Sequence, residues 1–96
     1  MRDGSCFGSP MTGKSQNVAY TGTAGTITNA MPPNTVAVRI WTTTDAYVQI
    51  GQSPTATSAD MPMVAGVPET FAAGNGDKVS AIQISAGGTL YITPLV

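Results

Sequence analysis

The larger apolar residues of this chain recur with a period of two, and no window of a dozen residues shows the period of a helix. Threonine, valine, isoleucine and tyrosine form short alternating runs, separated by glycine, proline, asparagine and aspartate. This pattern is typical of short antiparallel strands joined by turns. We therefore predict an all-β chain, a single small antiparallel β-sandwich of six to eight strands with one apolar face per strand.

The length of the chain allows one domain. A chain of 96 residues lies near the usual domain size and would bury about 60–65% of the surface that it exposes when unfolded. We place the sandwich at residues 18–96 and leave its topology open between a jelly roll and an immunoglobulin-like arrangement. Residues 1–17 are rich in turn formers and have few large apolar side chains, so we interpret them as an extended N-terminal arm.

The alternation of two neighbouring runs predicts a hairpin. In residues 36–42 the apolar row is Val36, Val38 and Ile40, and in residues 46–50 it is Ala46, Val48 and Ile50. The two apolar rows must share a side, and pairing Ile40 with Val48 satisfies this condition. The loop is then a three-residue turn ending at Asp45.

The same argument predicts a second hairpin near the C-terminus. Pairing Ile84 with Leu90 brings the apolar rows of both strands together and leaves residues 86–88 as the loop. Val79 is out of phase with Ile82 and Ile84, so this strand is either bulged or buried on both sides near its start. The Pro- and Ser-rich connection of residues 52–68 is expected to be a loop, with its two methionines closing one end of the sandwich or forming adaptable contacts.

The chain has few groups that could carry out chemistry. It has four basic and five acidic residues, no histidine, and one cysteine, Cys6. The carboxylates are spread along the sequence, whereas hydrolytic, transfer and metal sites need clustered groups. We therefore expect no catalytic residue, no metal and no cofactor. An enzyme would need an acid pair brought together by the fold, for example Asp45 near Glu69.

Charge also bears on the partners. The basic residues do not form the stripe that binding to phosphates requires, so we expect no nucleic acid partner. A net charge of −1 gives little electrostatic resistance to self-association, which suits a component of an assembly. The first residues lack the apolar core of a secretory signal, and the uncharged run 79–96 is interrupted by polar residues. We expect synthesis in the cytoplasm and no membrane partner.

Trp41 has the strongest indication of a binding role. Alternation places it beside Arg39 on the face opposite the apolar row of its strand, and the hairpin register places it opposite Tyr47. One interpretation is core packing, and the other is an interface with a protein or a glycan, because these residue types are frequent interface anchors. The candidate interface therefore consists of Arg39, Trp41 and Tyr47, together with Phe7 and Met11 of the arm.

Strand and turn signatures follow one another along most of the chain: Val38–Gly51, Ser53–Thr57, Met61, Ala65–Phe71, Gly76–Ile82 and Gly88–Thr93. Their order and spacing resemble those of the short virion structural proteins of tailed bacteriophages. The resemblance covers about residues 38–93, excludes the arm and contains no catalytic motif. It carries over no functional residues. Proteins of this kind are similar to head decoration (cement) proteins, and small sandwiches of the same type also serve in necks, tails and fibres.

The resemblance implies a capsid decoration protein that binds the major capsid protein on the outside of the head and stabilises the shell. We expect a homotrimer located in the virion, assembled in the host cytoplasm. Ordering each arm residue costs about 1 kcal/mol or more, so the arm needs contacts with neighbouring subunits. Deleting residues 1–16 should leave the sandwich folded and weaken attachment. The alternative is a tail, neck or fibre component that binds host glycans through exposed aromatic residues.

Overall fold

The computed structural model describes residues 9–11 and 13–96. Its strands are β1 (Gln16–Tyr20), β2 (Gly25–Thr26), β3 (Ala37–Thr42), β4 (Ala46–Gly51), β5 (Met61–Met63), β6 (Glu69–Ala72), β7 (Lys78–Gln83) and β8 (Gly88–Leu95). None of the described residues is helical, so this part of the chain contains no helix that could span a membrane. The predicted all-β class and the predicted number of strands are confirmed.

The strands form two antiparallel sheets of four strands each. Sheet A has the order β1-β8-β3-β6, and sheet B has the order β2-β7-β4-β5. One cluster of buried side chains joins the two sheets, with Ile40 and Leu90 contributed by sheet A and Val48 and Val79 by sheet B. The core therefore lies between the sheets, and each sheet has an inner and an outer face.

Neither expected hairpin forms. In sheet A, Ile40 pairs with Ile92, whereas in sheet B, Val48 pairs with Ala81 and Met61, so the predicted pairing of Ile40 with Val48 is wrong. The apolar rows do share a side, as predicted. Two sheets that face one core satisfy this condition as well as one sheet does, so alternation alone could not separate a hairpin from a crossover.

The second predicted hairpin fails for the same reason, because β7 lies in sheet B and β8 lies in sheet A. The core row of β7 is formed by Val79 and Ala81, and Ile84 is 42% exposed just after the strand. Ser80 points the other way and is also completely buried. Of the two alternatives for Val79, burial on both sides of the strand is the one observed.

Two further expectations need correction at the ends of strands. Val36 precedes β3 and is 58% exposed, although the alternating pattern assigned it to the apolar row. Met61 and Met63 lie in β5 and not in a loop, with Met63 in the core. Pro62 between them is tolerated because β5 is the edge strand of sheet B, where a missing N–H does not interrupt the sheet.

The described part of residues 1–17 is bonded to β8. The backbone amides of Ser9 and Val96 each donate to the carbonyl of the other residue at 2.9 Å, and the Met11 amide donates to the Pro94 carbonyl at 3.0 Å. After a turn at Gly13, where φ is +77°, β1 begins at Gln16, within the segment assigned to the arm. Phe7 lies outside the described residues.

Candidate interface on the outer face of sheet A

The outer face of sheet A is open and carries a compact set of aromatic and polar side chains. We call this set the Trp41 face, and its residues are Asn17, Arg39, Trp41, Thr70, Tyr91 and Thr93. One row across the strands runs from Asn17 through Tyr91 to Trp41, and the next row contains Arg39 at its centre. The four members outside β8 are exposed, and the two on β8 are half-buried.

The two aromatic residues of this face stack on each other. The ring centroids of Trp41 and Tyr91 lie 4.5 Å apart with an angle of 10° between the ring planes. Such a pair contributes about 0.5–1.5 kcal/mol beyond the area that it buries. Trp41 remains 36% exposed, so the stack holds the indole in one orientation while leaving it accessible. A side chain that is already ordered loses less entropy when a partner binds.

On the outer face of sheet B the row of Pro62, Tyr47 and Ile82 is exposed or half-buried, whereas the part around Ser80 is covered by its own chain. The β4–β5 connection folds over it, burying Pro54 and Ala56. The Ala56 amide and the Thr26 hydroxyl both donate to the Ser80 hydroxyl oxygen, at 3.0 and 3.1 Å. This cover explains why Ser80 is buried on an outward-facing position of β7.

Asp60 stabilises the β4–β5 connection by accepting hydrogen bonds. Its carboxylate accepts hydrogen bonds from the Thr57 amide at 2.7 Å and from the Gln49 side-chain amide at 3.1 and 3.2 Å. The Thr57 backbone bond, followed by the Gln49 bond, lowers the pKa of Asp60 below its ordinary value of 3.8. Gln49 also exchanges two bonds with the backbone of Thr55. These internal hydrogen bonds hold the β4–β5 connection against part of the outer face of sheet B.

The structure brings together some of the predicted interface residues and separates others. Arg39 and Trp41 share the outer face of sheet A, as predicted. Tyr47 lies on sheet B, paired with Ile82 and Pro62, so its predicted position opposite Trp41 is wrong. Tyr91 occupies that position, and Met11 is half-buried beside the end of β8.

Sequence reasoning missed Tyr91 although part of the signal was present. Tyr91 lies between Leu90 and Ile92, both buried, so the alternation of β8 already directs the tyrosine outward. What the pattern does not contain is the identity of the neighbouring strand. That identity depends on the order of strands in the sheet, which is a property of the whole fold.

A second set of exposed apolar residues belongs to the two edge strands β5 and β6 and to the connection between them. We call it the β5–β6 side, and it consists of Met61, Val64, Val67 and Glu69. The three apolar residues are 39%, 62% and 48% exposed. The turn between the strands is fixed by two backbone donors, Gly66 to the Thr42 carbonyl and Ala65 to the Asp45 carboxylate, each at 2.8 Å. These bonds hold the connection that carries Val64 and Val67 against the ends of β3 and β4.

A small surface pocket of about 250 Å³ lies between residues 13–16 and residues 29–32. Its polar groups are already bonded to one another. Gln16 donates to the Asn29 carbonyl at 2.9 Å and accepts from the Asn29 amide at 3.0 Å, and the Ser15 hydroxyl is 2.8 Å from that of Thr93. These bonds join β1 to the β2–β3 connection, so we interpret the pocket as structural.

The described residues contain no group of three or more histidine, cysteine, aspartate or glutamate side chains that could hold a metal ion. No model of a known protein family matches the chain, and neither curated proteins nor solved structures give a match.

Proposed function

We propose that this chain is a structural protein of a tailed bacteriophage virion, a decoration (cement) protein that binds the major capsid protein on the outer surface of the head. The observation that carries the proposal is the contrast between the two outer faces. The outer face of sheet B is covered in part by the β4–β5 connection, and the outer face of sheet A presents Trp41, Tyr91 and Arg39. Residues of these types are enriched at the centres of protein interfaces.

The strand order supports a structural role. We propose that the two sheets form a sandwich with the topology of an eight-stranded jelly roll. In support, successive strands alternate between the sheets along the chain, except for β4 and β5, which are neighbours in sheet B. Jelly rolls occur in virus capsid domains and in lectins. A jelly-roll topology agrees with a virion protein, but one fold hosts many functions, so the topology does not by itself assign the role.

The size of the Trp41 face favours attachment by several copies. Four strands about 4.8 Å apart, with about six residues each at about 3.4 Å, give a face of about 400 Å² in plan. A standard interface buries about 800 Å² per partner. The Trp41 face of one copy therefore supplies only a weak contact by itself, and copies joined into a trimer would bind a shell with matching symmetry through several sets of contacts at once. The N-terminal arm would add contacts with neighbouring capsid subunits, and Phe7 and Met11 are its candidate contact residues.

The test is to add purified protein to phage heads from which this protein has been removed, and to measure occupancy at equal concentrations. We expect saturable binding to heads and a higher temperature of head disruption. Trp41→Ala should reduce occupancy, and Tyr47→Ala on sheet B is the matched control. Removal of residues 1–8 retains the bonds of residues 9–11 to β8 and should also weaken binding. Absence of binding by the full chain would refute the proposal.

The exposed aromatic pair favours a second candidate, a tail, neck or fibre component that binds host glycans. A sugar ring could stack on the side of Trp41 that does not contact Tyr91. Trp41 is the single tryptophan, so its fluorescence reports on this face. A saturable change of the emission with host glycans, without binding to heads, would support this candidate over the decoration protein.

A further inference from the structure

We infer that copies of this chain associate head to tail, with the Trp41 face of one copy against the β5–β6 side of the next copy. The inference rests on the proposed function and deepens it, since it names the surfaces that would form the proposed trimer. In that trimer the Trp41 face joins copies, the arm and the remaining surface contact the capsid, and Trp41→Ala lowers head occupancy by separating the copies. The two surfaces are complementary in charge and in exposed apolar side chains.

Face-to-face pairing of two identical Trp41 faces is disfavoured by charge. Arg39 lies near the centre of the face, and no described residue of that face carries a carboxylate. A two-fold axis through so small a face would bring two Arg39 guanidinium groups close together. Like charges opposed across an interface cost several kcal/mol. The surface that covers this face should therefore be a different one, and it should contain an acid.

Glu69 is the described carboxylate best placed to serve as that acid. The other three accept hydrogen bonds from their own chain: Asp45 from Ala65, Asp60 from Thr57 and Gln49, and Asp77 from Gln52 and Gly74. Glu69 is exposed at the start of β6, the edge strand of sheet A. Three exposed apolar side chains of the β5–β6 side complete an acidic and apolar surface, which complements a basic and aromatic one.

Within one chain the two charges point to opposite sides of sheet A. Glu69 pairs with Ile40, whose side chain is buried, so Glu69 projects toward the inner side at the open edge of the sheet. Arg39 is the next residue along β3 and projects outward. Because the two side chains point to opposite sides of the sheet, Arg39 of one copy is placed to pair with Glu69 of a neighbouring copy and not with Glu69 of its own chain.

Contact between two different surfaces of identical chains produces a closed ring or an open filament, depending on the rotation between copies. A ring of three copies would cover three Trp41 faces and three β5–β6 sides at once. In such a ring each copy retains its terminal segment near Val96, where residues 9–11 are bonded, for contacts outside the ring.

The experiment is a charge exchange followed by sedimentation velocity on the full chain. The wild type should form a discrete trimer. Arg39→Glu and Glu69→Arg should each weaken association at least about tenfold, because like charges then face each other. The double variant restores opposite charges and should associate within about threefold of the wild type. Both positions are exposed, so folding should change little, and circular dichroism with thermal unfolding checks this.

Lys78→Glu provides the matched control, since it reverses a charge on sheet B outside both surfaces and should leave association unchanged. A wild-type monomer at millimolar concentration, or single variants that associate like the wild type, would overturn the inference, as would a double variant as weak as the single ones. The same measurements distinguish this inference from the proposed function. A trimer that does not bind heads would refute the proposed function and support the interface. A monomer that binds heads would refute the interface and support the proposed function.

Discussion

The hydroxyl group of Tyr20 is held by Thr44 through three polar contacts. It lies 2.8 Å from the Thr44 carbonyl, to which it donates, 2.8 Å from the Thr44 hydroxyl, and 3.2 Å from the Thr44 amide, which donates to it. The Thr44 hydroxyl in turn donates to the Ala86 carbonyl at 2.9 Å. Tyr20 in sheet A is thereby joined to two of the connections that carry the chain across to the other sheet at this end, residues 43–45 and 84–87.

Tyr20→Phe should destabilise the fold. The ring stays buried, but the amide and carbonyl of Thr44 lose a partner, at a cost of about 1–3 kcal/mol. The melting temperature should fall by about 4–8 °C for each kcal/mol in a domain of this size. Tyr47→Phe, whose ring is half-buried on sheet B, is the control and should change the melting temperature little. Equal melting temperatures for the two variants would contradict the structural role of this hydroxyl.

Thr42→Val should stabilise the protein. The Thr42 hydroxyl is completely buried and has no hydrogen-bond partner among the described residues. Replacing it by a methyl group of similar size removes an unsatisfied polar atom, which should contribute about 1 kcal/mol. Thr35→Val is the opposite control, because the Thr35 hydroxyl donates to the Pro32 carbonyl at 2.7 Å. Chemical denaturation of both variants should give shifts of opposite sign, and a loss of stability in Thr42→Val would count against this packing.

Gly88→Ala should be strongly destabilising. A Cβ atom at this position would lie 2.5 and 2.6 Å from the hydroxyl oxygens of Thr43 and Thr44 and 2.8 Å from the Tyr20 hydroxyl. Relief of these contacts requires the Tyr20–Thr44 cluster to move, which we expect to cost about 1–3 kcal/mol. Gly51→Ala is the control, since nothing lies within 4 Å of its added Cβ. Thermal unfolding should separate the two variants clearly.

Stability should depend on the charge of Asp60 at low pH. Its folded-state pKa is lowered, so its contribution is fully present above the ordinary value of 3.8 and is lost as the pH falls through the lowered pKa. Asp60→Asn should be less stable than the wild type at pH 7, and the difference should shrink toward pH 2. Denaturation midpoints across this range test the sign, and a constant difference would show that ionisation is irrelevant.

Residues 9–11 should stabilise the two sheets and not only an attachment to partners. Their removal breaks three backbone hydrogen bonds, one to Pro94 in β8 and two to Val96 just after it, each worth about 0.5–1.5 kcal/mol. Deleting residues 1–11 should therefore lower the melting temperature. Deletion of residues 1–16 should lower it further, because Gln16 belongs to β1 and exchanges two bonds with Asn29. An unchanged melting temperature in both deletion variants would show that these residues do not stabilise the two sheets and act only in contacts with partners.

The strands could be predicted from sequence because their signal is local. Alternation located β3 and β4 to within a residue and identified Val38 and Ile40 as core residues. Which strands are neighbours was not predictable in this way, because the apolar rows of a hairpin and of a crossover obey the same rule. The Trp41 face was half predicted for this reason: Arg39 and Trp41 share a strand, whereas Tyr91 comes from a strand 50 residues away in the chain, as the pairing of Trp41 with Tyr91 shows.

The position of β8 has a consequence for how the protein is made. This strand lies between β1 and β3 in sheet A, so until residues 88–95 have been synthesised β1 has no partner strand in this sheet and β3 has only β6. Pairing between segments so distant in sequence is slow, and strand edges that stay unpaired during this time can aggregate with other chains. We expect sheet A to be completed late, when β8 joins β1 to the β3–β6 pair.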